Sequence, residues 1–217
     1  MVGTALLVVA CGLLAGILIA EKRKSTALVL TFKTPLSALF VAAALIRPHP
    51  VESYYHWVLA GLVFGLIGDV CLALKGNKAF RAGLVAFLLG HILYMVAFAG
   101  LSRPPDWLAF VHLLIAAVGL AVFWWLRPHL GAMTVPVGVY IIVISLMMAA
   151  AWVAFQNPEV NRQGAWALFV GAFCFYVSDV FVARERFVNS EFVNRLVGLP
   201  LYYAGQFLIA FSIGWIR

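Results

Sequence analysis

Gly65-Leu66-Ile67-Gly68-Asp69-Val70-Cys71-Leu72-Ala73-Leu74 places one carboxylate inside a run that is otherwise apolar enough to cross a bilayer. An aspartate near the centre of a membrane helix costs roughly 2.5–3.5 kcal/mol on insertion scales, so it persists where it faces a bundle interior and has work to do there. The pattern recurs half a chain later. Phe173-Cys174-Phe175-Tyr176-Val177-Ser178-Asp179-Val180-Phe181-Val182 again carries a lone carboxylate near the end of an apolar run. Working outward from Asp69 and Asp179, the rest of the chain reads as the scaffold around two buried acids.

The composition makes that scaffold a membrane one. Of 217 residues, 65% are hydrophobic and only 11% charged, against about 25% charged in a soluble domain; the mean hydropathy is +1.04. Apolar windows of membrane-spanning length fall at 2–20, 26–46, 54–74, 80–100, 107–126, 132–154, 164–183 and 195–216, with loops too short to hold a soluble domain. Residues 1–217 are therefore expected to form a single all-α polytopic bundle of eight transmembrane helices. Strands are excluded because no period-2 alternation is present, and backbone groups in lipid must be satisfied within the segment. Cys11, Cys71 and Cys174 all lie in apolar runs and read as packing residues rather than a disulfide framework.

The net charge of +7 does not point to nucleic acid, because the basic residues sit mostly between spans, where topology accounts for them. One set of alternate loops, with the adjoining span ends, holds Lys22, Arg23, Lys24, Lys75, Lys78, Arg81, Arg127, Arg184, Arg186 and Arg195. The opposite set holds Arg47, Arg103, Arg162 and Arg217. This asymmetry puts the first set in the cytoplasm and both termini outside it, with no cleavable signal ahead of Val2. Trp57, Trp107, Trp124, Trp125, Trp152, Trp166 and Trp215 lie near proposed span ends, as an interfacial aromatic belt requires.

A weak internal repeat is also visible. Gly68-Asp69-Val70 followed by Phe80, Gly90 and Tyr94 resembles Ser178-Asp179-Val180 followed by Phe187, Gly198 and Tyr202, and Thr34-Pro35 matches Val135-Pro136. Four helices per half would make the halves parallel, related by an axis along the membrane normal. Asp69 lies six residues before Lys75 and Asp179 five before Arg184, which puts both roughly 7–9 Å inside the cytoplasmic boundary at 1.5 Å per residue. Lys33, His91, Tyr94, Tyr176, Ser178, Tyr202, Tyr203 and Gln206 fall in the same half or near mid-membrane, so a polar pocket opening to the cytoplasm is expected.

Two readings of the aspartates compete. As interhelical glue, Asp69 would pair with Lys33, although membrane polar contacts average only about 0.6 kcal/mol. As an acid/base pair, mutual repulsion in a low-dielectric site would leave one carboxyl protonated and the other ionised. Gly61-x-x-x-Gly65 reads as close helix packing. Gly-x-Ser-x-Gly, His-Glu-x-x-His and phosphate-cradling glycine loops are absent. The Tyr-Asp and Gly-x-Gly-Asp signatures of intramembrane aspartyl proteases are matched by neither Ser178-Asp179 nor Gly68-Asp69. Two carboxylates alone are thin ligation for a metal, and no cofactor is expected.

Lys33-Thr34-Pro35, Gly68-Asp69 with Leu72, Phe80 and Gly83, His91 with Tyr94, Ser178-Asp179 and Tyr202-Tyr203-x-x-Gln206 together resemble the YhhN-like lysoplasmalogenase family of eight-span membrane proteins. That resemblance implies hydrolysis of the vinyl ether bond of lysoplasmalogens, releasing a fatty aldehyde and glycerophosphoethanolamine or glycerophosphocholine. It also implies a lysophospholipid taken from the bilayer of a bacterial inner membrane, at an active site toward the cytoplasmic side. Catalysis is then expected from Asp69 and Asp179, with Lys33 on the phosphate and His91, Tyr94, Ser178, Tyr202, Tyr203 and Gln206 shaping the substrate site. The competing reading is a proton-coupled transporter that uses the same aspartates as a relay.

Overall fold

Helix formation follows the apolar windows closely. The computed structural model describes residues 2–102 and 110–217, so Arg103, Trp107 and the start of the fifth window lie outside the described residues. Among the described residues there are eight α-helices: α1 (Val2–Lys22), α2 (Thr26–Leu45), α3 (Glu52–Ala73), α4 (Asn77–Ala99), α5 (Phe110–Leu130), α6 (Thr134–Gln156), α7 (Arg162–Ala183) and α8 (Phe192–Ser212). Polar residues mark several ends. Ser25 Oγ accepts from the Leu28 amide ahead of α2, and Asn161 Oδ1 accepts from the Gln163 amide ahead of α7. The α3–α4 turn passes through Gly76 at φ +109°, a left-handed conformation that side chains resist. A 3₁₀ turn at Gly131–Met133 separates α5 from α6, and a π-helical turn at Arg184–Val188 prolongs α7.

Six helical segments among the described residues are long and apolar enough to cross a membrane: Gly3–Lys22, Thr26–Leu45, Glu52–Ala73, Asn77–Ala99, Arg162–Val188 and the 47-residue Phe110–Gln156, which contains both α5 and α6. The molecule is thus a helical integral membrane bundle. The expected count of eight spans does not follow from apolarity, because α8 is absent from this set. Its sequence includes Asn194, Arg195, Tyr202, Tyr203 and Gln206, and most of these are buried against other helices.

α3 packs most extensively on α4 and α7 on α8, while α4 meets α6 and α2 meets α8. Glycines bring two of these pairs into backbone contact. A Cβ on Gly90 would stand 3.2 Å from the Gly61 carbonyl oxygen, and one on Gly205 would stand 2.8 Å from that of Gly171. The expected close packing at Gly61-x-x-x-Gly65 is present: a Cβ on Gly61 would collide with the Tyr94 ring, and one on Gly65 would lie 2.5 Å from Gln206 Nε2. One large core joins α2, α3, α4, α6, α7 and α8 through residues such as Leu36, Phe40, Leu62, Tyr94, Ile144 and Phe175. A small cluster of Leu126, Leu130 and Val137 packs beneath Phe187 of the π turn. Cys11, Cys71 and Cys174 are free thiols.

Candidate active site

The two aspartates sit in different surroundings on the wall of one cavity. Asp69, 1% exposed, is saturated with donors. Lys33 Nζ lies 3.0 Å from Oδ1, while Ser37 Oγ and the Tyr202 hydroxyl each donate to Oδ2 at 2.6 Å. Lys33 and Ser37 are one helical turn apart on α2, so a single face of that helix supplies both. The network extends outward from there. Ser37 Oγ is 3.2 Å from the Tyr203 hydroxyl; Gln206 Nε2 donates to the Tyr202 oxygen at 3.1 Å; the Tyr94 hydroxyl donates to Gln206 Oε1 at 2.6 Å. Four helices are thereby tied to one carboxylate.

Asp179 is held more sparsely. Its side chain is 17% exposed, and its Oδ2 accepts one hydrogen bond, from the Tyr140 hydroxyl of α6 at 2.6 Å. His91 Nδ1 is 2.7 Å from the Phe87 carbonyl oxygen. A carbonyl only accepts, so Nδ1 carries the proton, and a neutral ring turns its Nε2 lone pair toward Asp179 Oδ2, 3.6 Å away. Nε2 is buried and has no hydrogen-bond partner among the described residues.

Aromatic rings separate the two carboxylates. Phe175 lies 5.2 Å from Tyr202 on the Asp69 side and 4.5 Å from His91 on the Asp179 side, ring centre to ring centre, and Phe87 meets both Tyr202 and Phe175 edge-on. The two acids do not share a hydrogen-bond partner among the described residues. Both nevertheless line a cavity of about 560 Å³, a size typical of small-molecule sites, which run about 300–1,000 Å³. Its walls are mainly apolar: Leu72, Leu84, Phe87, Val137, Ile141, Ile144 and Leu199 are among them. At one end it is bordered by Lys75, Glu185, Arg186 and Arg195, at the α3–α4 turn and around the α7–α8 connection.

Of the residues expected at a site, Lys33, Asp69, Asp179 and Tyr202 line the cavity. His91 stands behind Asp179, and Tyr94, Tyr203 and Gln206 stand behind Tyr202. Ser178 donates to the Phe175 carbonyl of its own helix at 2.7 Å and is fully buried. The ammonium of Lys33, expected on a phosphate, is engaged by Asp69 instead, which is the pairing of the glue reading. Ser37 and Tyr140 were missed. The four-residue step from Lys33 was a usable signal for Ser37; Tyr140 lies in an unbroken apolar run that offers none. Among the described residues, no group of three or more His, Cys, Asp or Glu side chains gathers in a way that suits a metal ion.

A bundle of mostly apolar helices, packed around an amphipathic cavity with two unequal buried carboxylates on its wall, defines a polytopic membrane protein with a pocket suited to an amphiphile. The YhhN family profile matches residues 28–213, and the chain belongs to that family. It is 33% identical over 181 residues to a Mycobacterium bovis protein named lysoplasmalogenase, covering 80% of this chain and 64% of that one. Lysoplasmalogenase TMEM86A of Bos taurus is 34% identical over 160 residues, covering 71% and 64% respectively. Lysoplasmalogenase TMEM86B of Rattus norvegicus is 30% identical over 207 residues, covering 94% and 81%. The chain thus spans a little under two thirds of the length of the mycobacterial and bovine relatives. No solved structure matches it.

Proposed function

We propose that the protein hydrolyses the vinyl ether bond of lysoplasmalogens, with Asp179 as the acid and Asp69 as a fixed negative charge. The observation that carries this assignment is the inequality of the two carboxylates on one cavity wall. Asp69 accepts from an ammonium and two hydroxyls, an arrangement suited to an ionised group and leaving little room for a proton. Asp179 accepts from one hydroxyl and faces the cavity, so an oxygen remains to carry a proton to substrate.

Protonation of the outer alkenyl carbon by the Asp179 carboxyl converts the enol ether to an oxocarbenium ion, and the Asp179 carboxylate is left behind. Negative charge on Asp69 and Asp179 stabilises that cation inside apolar walls, where electrostatic stabilisation is strongest. Water adds to the cationic carbon and returns its proton to Asp179, giving a hemiacetal. The hemiacetal collapses to the aldehyde and the glycerol hydroxyl. Tyr140 orients the Asp179 carboxyl from one side, and His91, lone pair forward, stands ready to accept or return its proton.

We further infer that all eight helices cross the bilayer as two parallel halves, with the cavity mouth toward the cytoplasm, in keeping with a bacterial inner-membrane protein. Each aspartate is bound by the helix before its own and faced by the last helix of the other half: Asp69 by α2 and α8, Asp179 by α6 and α4. Gly61 and Gly171, each eight residues before its aspartate, make the two close contacts with Gly90 and Gly205. These contacts favour matching Gly90 to Gly205 rather than to Gly198.

The test is aldehyde release by the purified protein in detergent, with no gradient, from a lysoplasmalogen and from its saturated ether analogue. Turnover of the vinyl ether alone is expected. A protein that leaves both intact, yet carries solute into vesicles under a pH difference, would overturn the reading in favour of a transporter.

A further inference from the structure

The charges at the cavity mouth do not balance evenly. Glu185 Oε2 accepts from the Glu191 amide and Asn194, and its Oε1 accepts from Ser190 and faces Arg195 at 3.5 Å. Arg195 also meets Glu21 at 3.2 Å, and Arg184 is held by Glu191 and Asn194. Arg184 and Arg195 are thus each matched to carboxylates. Arg186 has no carboxylate partner among the described residues: one Nη2 proton goes to the neutral Asn77 Oδ1 at 2.6 Å, and the guanidinium lies 4.3 Å over the Phe80 ring. Phe187 meets Phe80 edge-on beside it. Lys75, two residues before the Asn77 anchor, borders the same opening.

We propose that Arg186 and Lys75 form a phosphate subsite at the mouth, which reads the phosphodiester of a lysophospholipid whose alkenyl chain lies in the apolar cavity. This rests on the hydrolase reading and moves the phosphate away from Lys33, whose charge Asp69 already uses. An arginine stacked on a ring and pinned by one amide oxygen is pre-organised. Its remaining N–H groups stay in place for a planar, two-pronged contact with phosphate oxygens. Preorganisation of that kind lowers the ordering cost of binding. The spacing also suits the ligand. Asp179 and Arg186 are seven residues apart, about 10 Å of helical rise, a span of the order that glycerol and its ether oxygen bridge between a phosphate and the alkenyl carbons.

The experiment compares 1-O-alkenylglycerophosphoethanolamine with 1-O-alkenylglycerol, which lacks the phosphate, on the full-length protein in detergent. Arg186→Gln is expected to lower kcat/KM for the phosphorylated substrate about tenfold more than for the headgroup-free one, with Lys75→Gln acting in the same direction. Lys22→Gln, which removes a charge outside the cavity, is expected to leave that ratio unchanged. Equal losses on both substrates, or no loss, overturn the proposal. Adding an anionic phospholipid to the micelles tests the other source of phosphate. If the wild type responds to that lipid, Arg186→Gln abolishes the response and the substrate ratio stays constant, the cations hold a bilayer headgroup and the proposal falls. Binding of a saturated 1-O-alkyl lysophospholipid against the 1-O-alkylglycerol, followed by calorimetry, separates the two hypotheses. If the wild type cleaves neither alkenyl substrate but keeps an Arg186-dependent preference for the phosphorylated ligand, the hydrolase reading fails and the phosphate subsite stands; equal binding of both ligands overturns the subsite.

Discussion

Replacing Lys33 by Met should reveal whether Asp69 is glue, catalyst or both. The ammonium is 3.0 Å from Asp69 Oδ1 and the carboxylate is 1% exposed, so the substitution strands a negative charge with two hydroxyl donors. Losing one charge-assisted hydrogen bond accounts for about 1.5–3 kcal/mol, and breaking a buried pair from one side costs about 3–5 kcal/mol in all. Asp69→Asn should cost less, about 1–3 kcal/mol, because the four-carbon stem of Lys33 can swing the freed ammonium along the cavity toward the mouth. The double variant Lys33→Met/Asp69→Asn has no buried charge left, and should be more stable than Lys33→Met alone. At roughly 2–4 °C per kcal/mol for a chain of this size, Lys33→Met should melt about 10 °C below wild type. Thermal melts by circular dichroism in detergent, with aldehyde release measured on the same samples, complete the cycle. If stability recovers in the double variant while turnover stays absent, the Asp69 charge serves the chemistry. Wild-type turnover in the double variant would refute any catalytic use of Asp69, and an unshifted melt for Lys33→Met would refute the ion pair itself.

Asp179→Asn should abolish aldehyde release with a stability loss of about 1 kcal/mol, since one hydrogen bond holds the carboxyl; melts and endpoint aldehyde assays check both halves. Tyr140→Phe removes that bond and keeps the ring, so turnover should drop about tenfold with KM nearly constant, as steady-state kinetics would record. For Gly205→Ala, the new methyl would sit 2.8 Å from the Gly171 carbonyl oxygen and 3.1 Å from the Phe175 amide nitrogen, neither of which can move aside independently. Overpacking of that kind should cost about 1–3 kcal/mol, visible as a lower melting temperature.

The helices were legible because each apolar run is bounded by residues that end it. α3 and α4 fall at 52–73 and 77–99 because Pro50, the glycine at 76 and two lysines punctuate the sequence there. α8 was harder to place. It begins at Phe192 and stops at Ser212, whereas the apolar window ran from 195 to 216, since its polar residues face neighbouring helices and hydropathy does not register direction. The π turn at Arg184–Val188 was not foreseen either. Hydrogen bonds among Arg184, Glu185, Asn189, Glu191 and Asn194 hold the chain around that connection, and no single-residue propensity encodes such a mesh.

Asp69 and Asp179 could be singled out from sequence because a charge in an apolar run is costly wherever the helix points. Their matched distance from the basic loops follows from helical rise alone, as does the shared face of Lys33 and Ser37. What the sequence could not contain was the partner of each acid, because α2, α3 and α8 meet only after some 170 residues of chain have folded back on themselves. Among the described residues, packing delivered Lys33, Ser37 and Tyr202 to Asp69 but only Tyr140 and the bare face of His91 to Asp179. Two carboxylates that look equivalent in the primary structure thereby become unequal, since only the folded chain decides which hydrogen-bond donors come within reach of each, and the proposed division of roles rests on that difference.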